Sequence, residues 1–256
     1  MILTVDIGNT RVACGFFEKG EIVGRGFLSD LDSASLKAAF GERVFEGCVF
    51  ASVVPELSAK FLASFSSLYP TVFVSQLTWE KVAKKVPNSI VVKGMAPGAD
   101  RVANVYLLHR NGLFPAVSVD AGTALTTEIL DAEGRFVGGT IVPGARLQWN
   151  SLREKAAQLK DLEFPEKTDG LIGSCSESSM ANGIGGILTF GLIELLKKAE
   201  RELLGESFKS VVFTGGGSKL FHDAAKEVFP NSEFDPDFTL KALCAFYDEE
   251  KNEPKA

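Results

Sequence analysis

Several residue patterns that mark well-known kinds of functional site are absent from this sequence of 256 residues. It contains four cysteines without a CxxC pair and two histidines outside any hydrolase-type motif. Thiolate zinc sites, redox motifs and histidine catalysis are therefore disfavoured. The net charge is −6 and no dense run of Lys or Arg occurs, so we expect no nucleic-acid partner.

Long apolar runs are also lacking. Nowhere are there roughly 18 consecutive apolar residues, and no basic segment precedes an apolar run at the N-terminus. We therefore expect a cytoplasmic protein with no membrane partner. The composition, 45% hydrophobic and 23% charged, is typical of a globular protein, and the length is sufficient for two compact domains.

The most informative feature is a pair of segments that occurs twice. Val5-Asp6-Ile7-Gly8-Asn9-Thr10 returns as Val119-Asp120-Ala121-Gly122-Thr123, and Gly20-Glu21-Ile22-Val23-Gly24 returns as Gly134-Arg135-Phe136-Val137-Gly138. Each copy is typical of three strands joined by tight turns, with an Asp at the end of the first strand. The repeat predicts two similar halves, residues 1–113 and 114–256. The carboxylates, hydroxyls and backbone N–H groups of both copies suit a metal–polyphosphate complex.

Strands and helices alternate after the third strand of each half, which indicates a largely parallel extension of both sheets. Helical spacing over 99–110 places Asp100 and Arg101 in the first turn of a helix. A long helix is predicted over 178–204; its glycines are explained equally well by close packing and by the approach of a ligand or a partner subunit. A last helix is expected over 240–247, followed by a frayed polar tail.

A third glycine loop, Thr214-Gly215-Gly216-Gly217-Ser218, follows a strand late in the chain. It lacks the GxxxxGK[ST] spacing of a P-loop, and the sequence has no protein-kinase motif set. Each glycine loop alone is typical of an ordinary turn. Two Asp-x-Gly loops followed by this third loop, in this order, resemble the actin, Hsp70 and sugar-kinase superfamily. That resemblance implies two ribonuclease-H-like α/β domains with the active site in the cleft between them.

Four motifs narrow the resemblance to the type III pantothenate kinases. They are Asp6-Ile7-Gly8-Asn9-Thr10, Gly98-Ala99-Asp100-Arg101-Val102-Ala103-Asn104, Asp120-Ala121-Gly122-Thr123-Ala124 and Gly138-Gly139-Thr140-Ile141-Val142-Pro143-Gly144. The resemblance covers nearly the whole chain. It implies a homodimer that phosphorylates the small molecule pantothenate with ATP, in the first committed step towards coenzyme A. The implied cofactors are Mg²⁺ and a monovalent cation, K⁺ or NH₄⁺.

The resemblance also implies roles for individual residues. Asp100 would be the catalytic base, Asp6 would hold Mg²⁺, directly or through water, and Asp120 would hold the monovalent cation. The remaining ATP and phosphate contacts would come from Ile7, Gly8, Asn9, Thr10, Arg11, Val12, Ala13, Thr123, Gly215 and Gly216. The acceptor would be contacted by Gly98, Ala99, Asp100, Arg101 and Ser176.

Three alternatives stay open at this point. Asp100 could instead complement the dipole of its helix, and Arg101 could either orient Asp100 or meet a carboxylate on the acceptor. The stretch Val91-Val92-Lys93-Gly94-Met95-Ala96-Pro97 lacks the Tyr and the Asn-Pro pair that the family commonly has there, which leaves room for another small hydroxylated acceptor. A non-catalytic regulatory member is the third alternative, although the retention of all three aspartates argues against it.

Overall fold

The computed structural model describes residues 1–88, 96–165 and 170–252. The chain forms two compact units. The first comprises Met1–Gly112 together with the C-terminal segment that starts at Asp237, and the second comprises Leu113–Pro236. Apart from Leu113, the C-terminal segment is the part that the predicted division, 1–113 and 114–256, assigns to the other half.

The elements of the first unit are β1 (Ile2–Ile7), β2 (Val12–Glu18), β3 (Glu21–Leu28), α1 (Ser33–Phe40), β4 (Gly47–Ser52), α2 (Pro55–Leu68), β5 (Phe73–Gln76), α3 (Trp79–Val82), α4 (Ala99–Asn111) and α8 (Phe238–Asn252). Those of the second unit are β6 (Ala116–Ala121), β7 (Ala124–Leu130), β8 (Phe136–Pro143), α5 (Ala145–Lys155), α6 (Ser176–Lys198), β9 (Ser210–Thr214), α7 (Ser218–Ala225) and β10 (Ser232–Phe234). A 3₁₀ turn, Ala157–Leu159, follows α5, and a π-helical stretch, Ala199–Leu204, follows α6.

The first unit is built on a five-stranded sheet of order β3-β2-β1-β4-β5. Strands β1, β2 and β3 form an antiparallel meander, whereas β4 and β5 extend the sheet in parallel with β1. On one face, α1 and α2 cover a core rich in aromatic rings, including Phe16, Phe40, Phe61 and Phe65. The other residues of each strand form the second face of the sheet, because successive side chains point to opposite sides.

Helices α4 and α8 lie together in the first unit, and α8 packs on β1 and β4. Phe17, Leu240 and Cys244 form a small buried cluster at this contact. Helix α8 is longer at both ends than the expected 240–247, and the prediction of a frayed tail is wrong for 248–252. The reason is ionic: Glu249 and Glu250 on its last turns form ion pairs with Lys85 and Lys81.

The second unit repeats the first sheet, with the order β10-β9-β6-β7-β8. Strands β6, β7 and β8 form the antiparallel meander, and β9 and β10 run parallel to β6. Even the local irregularity recurs, because the register shifts once between Phe16 and Phe17 and once between Ile129 and Leu130. The predicted α/β fold with two similar domains is therefore confirmed.

Helix α6 lies in the core of the second unit, where Leu188, Leu192 and Leu196 are buried. With its π-helical extension, Ser176–Leu204, it is the one helix in the described part of the chain that is long and apolar enough to cross a membrane. A single helix of this kind is weak support for a membrane span, because core helices of globular proteins have the same length and composition.

Candidate functional site

The first glycine loop is a tight turn between β1 and β2. The Gly8 N–H donates to the Arg11 carbonyl at 3.1 Å, and a Cβ on Gly8 would lie 3.1 Å from the same oxygen. Asn9, Thr10 and Arg11 are exposed at the tip of this turn. A turn of this kind presents backbone N–H groups to solvent at short spacing, which suits phosphate oxygens.

Asp6 lies immediately before this turn, on the face of the sheet opposite the aromatic core. Its carboxyl group is partly buried. Burial, together with the negative charge of Asp100, raises the pKa of Asp6 from 3.8 to about 7, and the Arg11 guanidinium opposes this rise. The first unit therefore brings together Asp6, Asp100 and Arg11, although Asp100 is far from the other two in sequence.

Asp100 occupies the first turn of α4, as the sequence predicts. Its Oδ1 accepts a hydrogen bond from the backbone N–H of Arg101 at 2.8 Å. Gly98 is required next to it, because a Cβ at that position would lie 2.7 Å from the same carboxylate oxygen and 3.3 Å from Val53 Cγ1. The glycine of the Gly-Ala-Asp-Arg motif thus makes room for the aspartate side chain.

Val53 connects this helix start to the end of β1. Its backbone N–H donates to the Ile7 carbonyl at 3.2 Å, and its side chain borders Gly98. Helix α4 also packs on α8, where Thr239 Oγ1 donates to Asn104 Oδ1 at 2.9 Å. Asn104 is fully buried, and its Nδ2 has no hydrogen-bond partner among the described residues.

The second glycine loop joins β6 to β7 in the second unit. The Gly122 N–H donates to the Ala124 carbonyl at 2.9 Å, and the Gly144 N–H donates to the Thr123 carbonyl at 2.9 Å. A Cβ on Gly144 would lie 2.4 Å from the Gly122 carbonyl oxygen. The glycine that ends the fourth motif therefore packs directly on the loop of the third, which explains why the two occur together.

The third glycine loop is fastened to the second. Gly215 has φ +87°, and a Cβ there would lie 2.3 Å from Asp120 Oδ1. The Gly217 N–H donates to the Ala121 carbonyl at 2.9 Å. Ser218, which is fully buried, accepts from the Ala121 N–H at 3.2 Å and donates to the Thr214 carbonyl. The second unit thus brings Asp120 and Gly215 into contact.

Ser218 is the site residue that sequence reasoning missed. Its position at the start of α7 suggests a simple helix cap, whereas its hydroxyl joins two loops that are distant in sequence. The signal available was the serine that directly follows the three glycines. Its partner, the Ala121 N–H, becomes visible only when the sheet order is known.

The remaining predicted residues differ in exposure. Ser176 begins α6 and is exposed, next to the N-cap residue Cys175. Ile7 and Val12 are buried in the first core, so their side chains point away from the turn. Ala13 is partly buried and packs against the small cluster at α8.

The described residues contain no group of three or more Asp, Glu, His or Cys side chains that could hold a metal ion. Mg²⁺ is commonly bound by one or two carboxylates together with water and substrate phosphates, and Asp6 offers one such carboxylate. A divalent cation stabilises the ionised form of a carboxylate whose pKa is raised by burial and by a second carboxylate nearby.

The sequence profile of the type III pantothenate kinases matches residues 2–198. The chain belongs to this family. A relative from Thermosipho melanesiensis, named type III pantothenate kinase, is 30% identical over 97% of this chain and 98% of its own length. The family membership agrees with the four motifs on which the sequence resemblance depends.

Solved structures that resemble the chain support the fold alone, since their identities are low. A protein from Campylobacter jejuni described as a Baf family transcriptional activator has a TM-score of 0.60 at 18% identity, covering 98% of this chain and all of its own. The activator of 2-hydroxyisocaproyl-CoA dehydratase from Clostridium difficile, with bound ADPNP, has a TM-score of 0.51 at 12% identity. It covers 100% of this chain and 98% of its own.

Proposed function

We propose that this protein phosphorylates the primary hydroxyl of pantothenate with ATP, giving 4′-phosphopantothenate as the first step of coenzyme A synthesis. Membership of the type III pantothenate kinase family supports the reaction. The structural observation that carries it is the pairing of Asp6, at the first phosphate-type turn, with Asp100, at the start of α4. One carboxylate serves the nucleotide and the other serves the acceptor.

Asp100 is assigned as the catalytic base. The hydrogen bond from the Arg101 N–H orients its Oδ1, so Oδ2 is the oxygen that we assign to the acceptor hydroxyl. It would orient the hydroxyl towards the γ-phosphorus and accept its proton as the new bond to phosphorus forms. Positioning and charge stabilisation are the main demands of phosphoryl transfer, so a firmly oriented carboxylate fits the reaction.

The phosphate contacts are assigned to both glycine loops. In the first unit, the backbone of residues 8–11, through the N–H groups that follow Gly8, and the Arg11 guanidinium would bind phosphate oxygens, and Asp6 would hold Mg²⁺ directly or through water. In the second unit, Thr123, Gly215 and Gly216 would contact ATP, and Asp120 would hold K⁺ or NH₄⁺. When bound, Mg²⁺ neutralises the charge of the phosphates during transfer.

The acceptor site is assigned to the start of α4, with Gly98, Ala99 and Arg101, and to Ser176. Arg101 follows Asp100 directly, and a guanidinium there suits the carboxylate of pantothenate. The divergent stretch before Gly98 falls largely on residues 89–95, outside the described part of the chain. The cytoplasmic location and the lack of nucleic-acid and membrane partners remain part of the proposal.

The protein is also proposed to form a homodimer through α6. One side of this helix carries Ile187 and Phe190, which are 76% and 59% exposed. Gly183 and Gly191 lie on the same side, and a Cβ on either would meet nothing within 4 Å. Exposed apolar side chains flanked by glycines let a second helix approach closely, which suits an interface between two copies.

The test is an activity assay on the purified full-length protein. With ATP, Mg²⁺ and either K⁺ or NH₄⁺, pantothenate should be converted to 4′-phosphopantothenate, detected by mass. No turnover in any of these mixtures would refute the assignment. Omitting the monovalent cation tests its role separately, because rate should fall without loss of the folded state.

A second acceptor is the alternative that the sequence before Gly98 favours. A panel of small polyols and hydroxy acids, tested in competition with pantothenate, would decide between them. The alternative is supported if one competitor has a much higher kcat/KM than pantothenate, since specificity is the ratio of these values.

A further inference from the structure

Arg11 is the one cationic side chain at the tip of the first glycine loop, and the structure shows what holds it. Its guanidinium carbon lies 4.9 Å from the centre of the Phe27 ring. Its positive charge also acts on Asp6, where it opposes the rise of the pKa. A long exposed side chain that packs on a ring is restricted in the orientations it can adopt.

The strand register places Asp6 and Phe27 on the same face of the sheet. Asp6 on β1 is directly opposite Ala13 on β2, and Ala13 is directly opposite Phe27 on β3. Residues opposite one another share a face of the sheet, so these three form one row across it. Neighbouring strands are about 4.8 Å apart, so Asp6 and Phe27 are roughly 10 Å apart, with only the small methyl group of Ala13 between them in this row.

Phe27 is otherwise an unusual residue for its position. It is 66% exposed on an edge strand, and burial in the core therefore does not explain the ring. The second unit provides an internal comparison. There the same row runs from Asp120 through Thr126 to Ile141, and the loop between β6 and β7 carries no arginine. The aromatic ring occurs in the unit that has the arginine.

We propose that Phe27 is a positioning residue that holds the Arg11 guanidinium at the first glycine loop, in place for a phosphate oxygen of the nucleotide. The inference rests on the proposed function, in which Arg11 contacts phosphate. A flat ring under a guanidinium attracts it and leaves its N–H edge open to an anion. The side chain is then ordered before the nucleotide arrives, which reduces the entropy lost on binding.

The experiment measures the dissociation constant of Mg²⁺·AMP-PNP by calorimetry for the full-length protein and four variants. These are Arg11→Met, Phe27→Leu, the double variant and Phe27→Trp. A cation–π contact at an exposed site corresponds to about 0.5–1 kcal/mol, so Phe27→Leu should weaken binding about two- to five-fold. Arg11→Met should weaken it by about ten-fold or more, because it loses a charge-assisted bond to phosphate. Phe27→Trp should bind as the parent does.

The double variant decides the mechanism. If Phe27 acts through Arg11, Phe27→Leu adds no further weakening once Arg11 is methionine. If the double variant instead binds more weakly by the product of the two separate factors, the inference is overturned, because Phe27 would then contact the nucleotide independently. Unchanged binding by Phe27→Leu alone would overturn it too, and would leave the role of Arg11 intact.

Two controls separate this inference from the proposed function. Val23→Ala removes another exposed apolar side chain from β3, where Val23 is 55% exposed, and should leave binding unchanged. If Arg11→Met binds as tightly as the parent, the phosphate role of Arg11 fails and the inference fails with it. If the parent protein binds no nucleotide, the kinase assignment itself fails.

Discussion

At the scale of single residues, two aspartates differ in their surroundings, and we propose different roles for them. Asp100 is placed by the Arg101 N–H and by the space that Gly98 leaves. Asp6 is placed by the end of a buried strand and titrates near neutrality because of burial and its acidic neighbour. Different surroundings commonly give two carboxyl groups different roles in one site.

The first prediction concerns Asp100→Asn. The substitution keeps the volume and removes the basicity, so kcat should fall by about 10²–10⁴ while the dissociation constant for Mg²⁺·ATP changes little. Glu56→Gln is the matched control, since Glu56 also lies in the first turn of a helix of the first unit. If both variants change only the melting temperature, slightly and equally, then Asp100 has a helix-capping role and the base lies elsewhere.

The second prediction concerns Asp6 and pH in the absence of metal and nucleotide. The folded protein binds this proton more tightly than the unfolded chain, because folding raises the pKa of Asp6 from 3.8 to about 7. Stability should therefore decrease as the pH rises from about 4 to about 7. Asp6→Asn should remove this loss. The variant should therefore be more stable than the parent by about 1–3 kcal/mol at pH 8, after allowance for the partial exposure of the side chain, and by much less at pH 5.

Calorimetric unfolding in EDTA between pH 5 and pH 8 measures this difference. A stability difference between Asp6→Asn and the parent that stays constant over this range would contradict the prediction. The same variant should have weaker Mg²⁺·ATP binding, because it loses a negative charge from the proposed metal position. Stabilisation of the free protein together with weaker binding is a combination that a purely structural role would not give.

At the scale of elements, helix α4 depends on α8 for its support. Thr239 Oγ1 donates to the buried Asn104 Oδ1, one turn of α4 beyond Asp100. We predict that Thr239→Val lowers the free energy of unfolding by about 1–3 kcal/mol, because it leaves the Asn104 oxygen unpaired. The kcat should fall more than the KM for ATP rises, since α4 carries Asp100 and the first glycine loop lies on β1 and β2.

Thr239→Ser is the control for this prediction, because it keeps the hydroxyl group and loses only a methyl group. It should stay close to the parent in kcat, with a smaller loss of stability. Chemical denaturation and steady-state kinetics on the three proteins give both quantities. Equal kcat in Thr239→Val and the parent would show that α4 keeps its position without this bond.

The elements that the sequence predicts well are those with strong local signals. The two meanders follow from alternating patterns and the repeated Asp-x-Gly segment, and β7, Ala124–Leu130, is the second strand of the repeated copy. The start of α4, and with it Asp100, follows from the helical spacing. Strand β10 was not predicted, because its three residues carry too short a pattern to distinguish from a turn.

The parts of the site that the sequence did not predict depend on contacts between distant segments. Ser218 joins the second and third glycine loops, and Phe27 lies under Arg11. No repeating pattern in the sequence indicates either contact. Lys81 and Lys85 are a further example. Their ion pairs with Glu249 and Glu250 require the return of the C-terminal helix, which local patterns do not report.

At the scale of the whole molecule, the exposed side of α6 predicts the oligomeric state. We expect the parent protein to sediment at micromolar concentration as a species of about twice 27.5 kDa. Ile187→Glu should shift the protein towards the monomer, because a charge would be buried at the interface. Val44→Glu is the control: Val44 is 81% exposed on the first unit and should not affect association. A monomeric parent would refute the proposed interface.

The return of α8 to the first unit also has a consequence for protein synthesis. The second unit is continuous in sequence from Leu113 to Pro236, whereas the first needs both ends of the chain. On the ribosome, the N-terminal sheet emerges early but lacks the helix that covers its second face until α8 has been synthesised. We therefore expect the second unit to complete its core first, the reverse of the usual order in which the N-terminal domain folds first. The carboxylates of the first unit reach their final surroundings only with α8 in place, so a product that ends before Phe238 should be inactive.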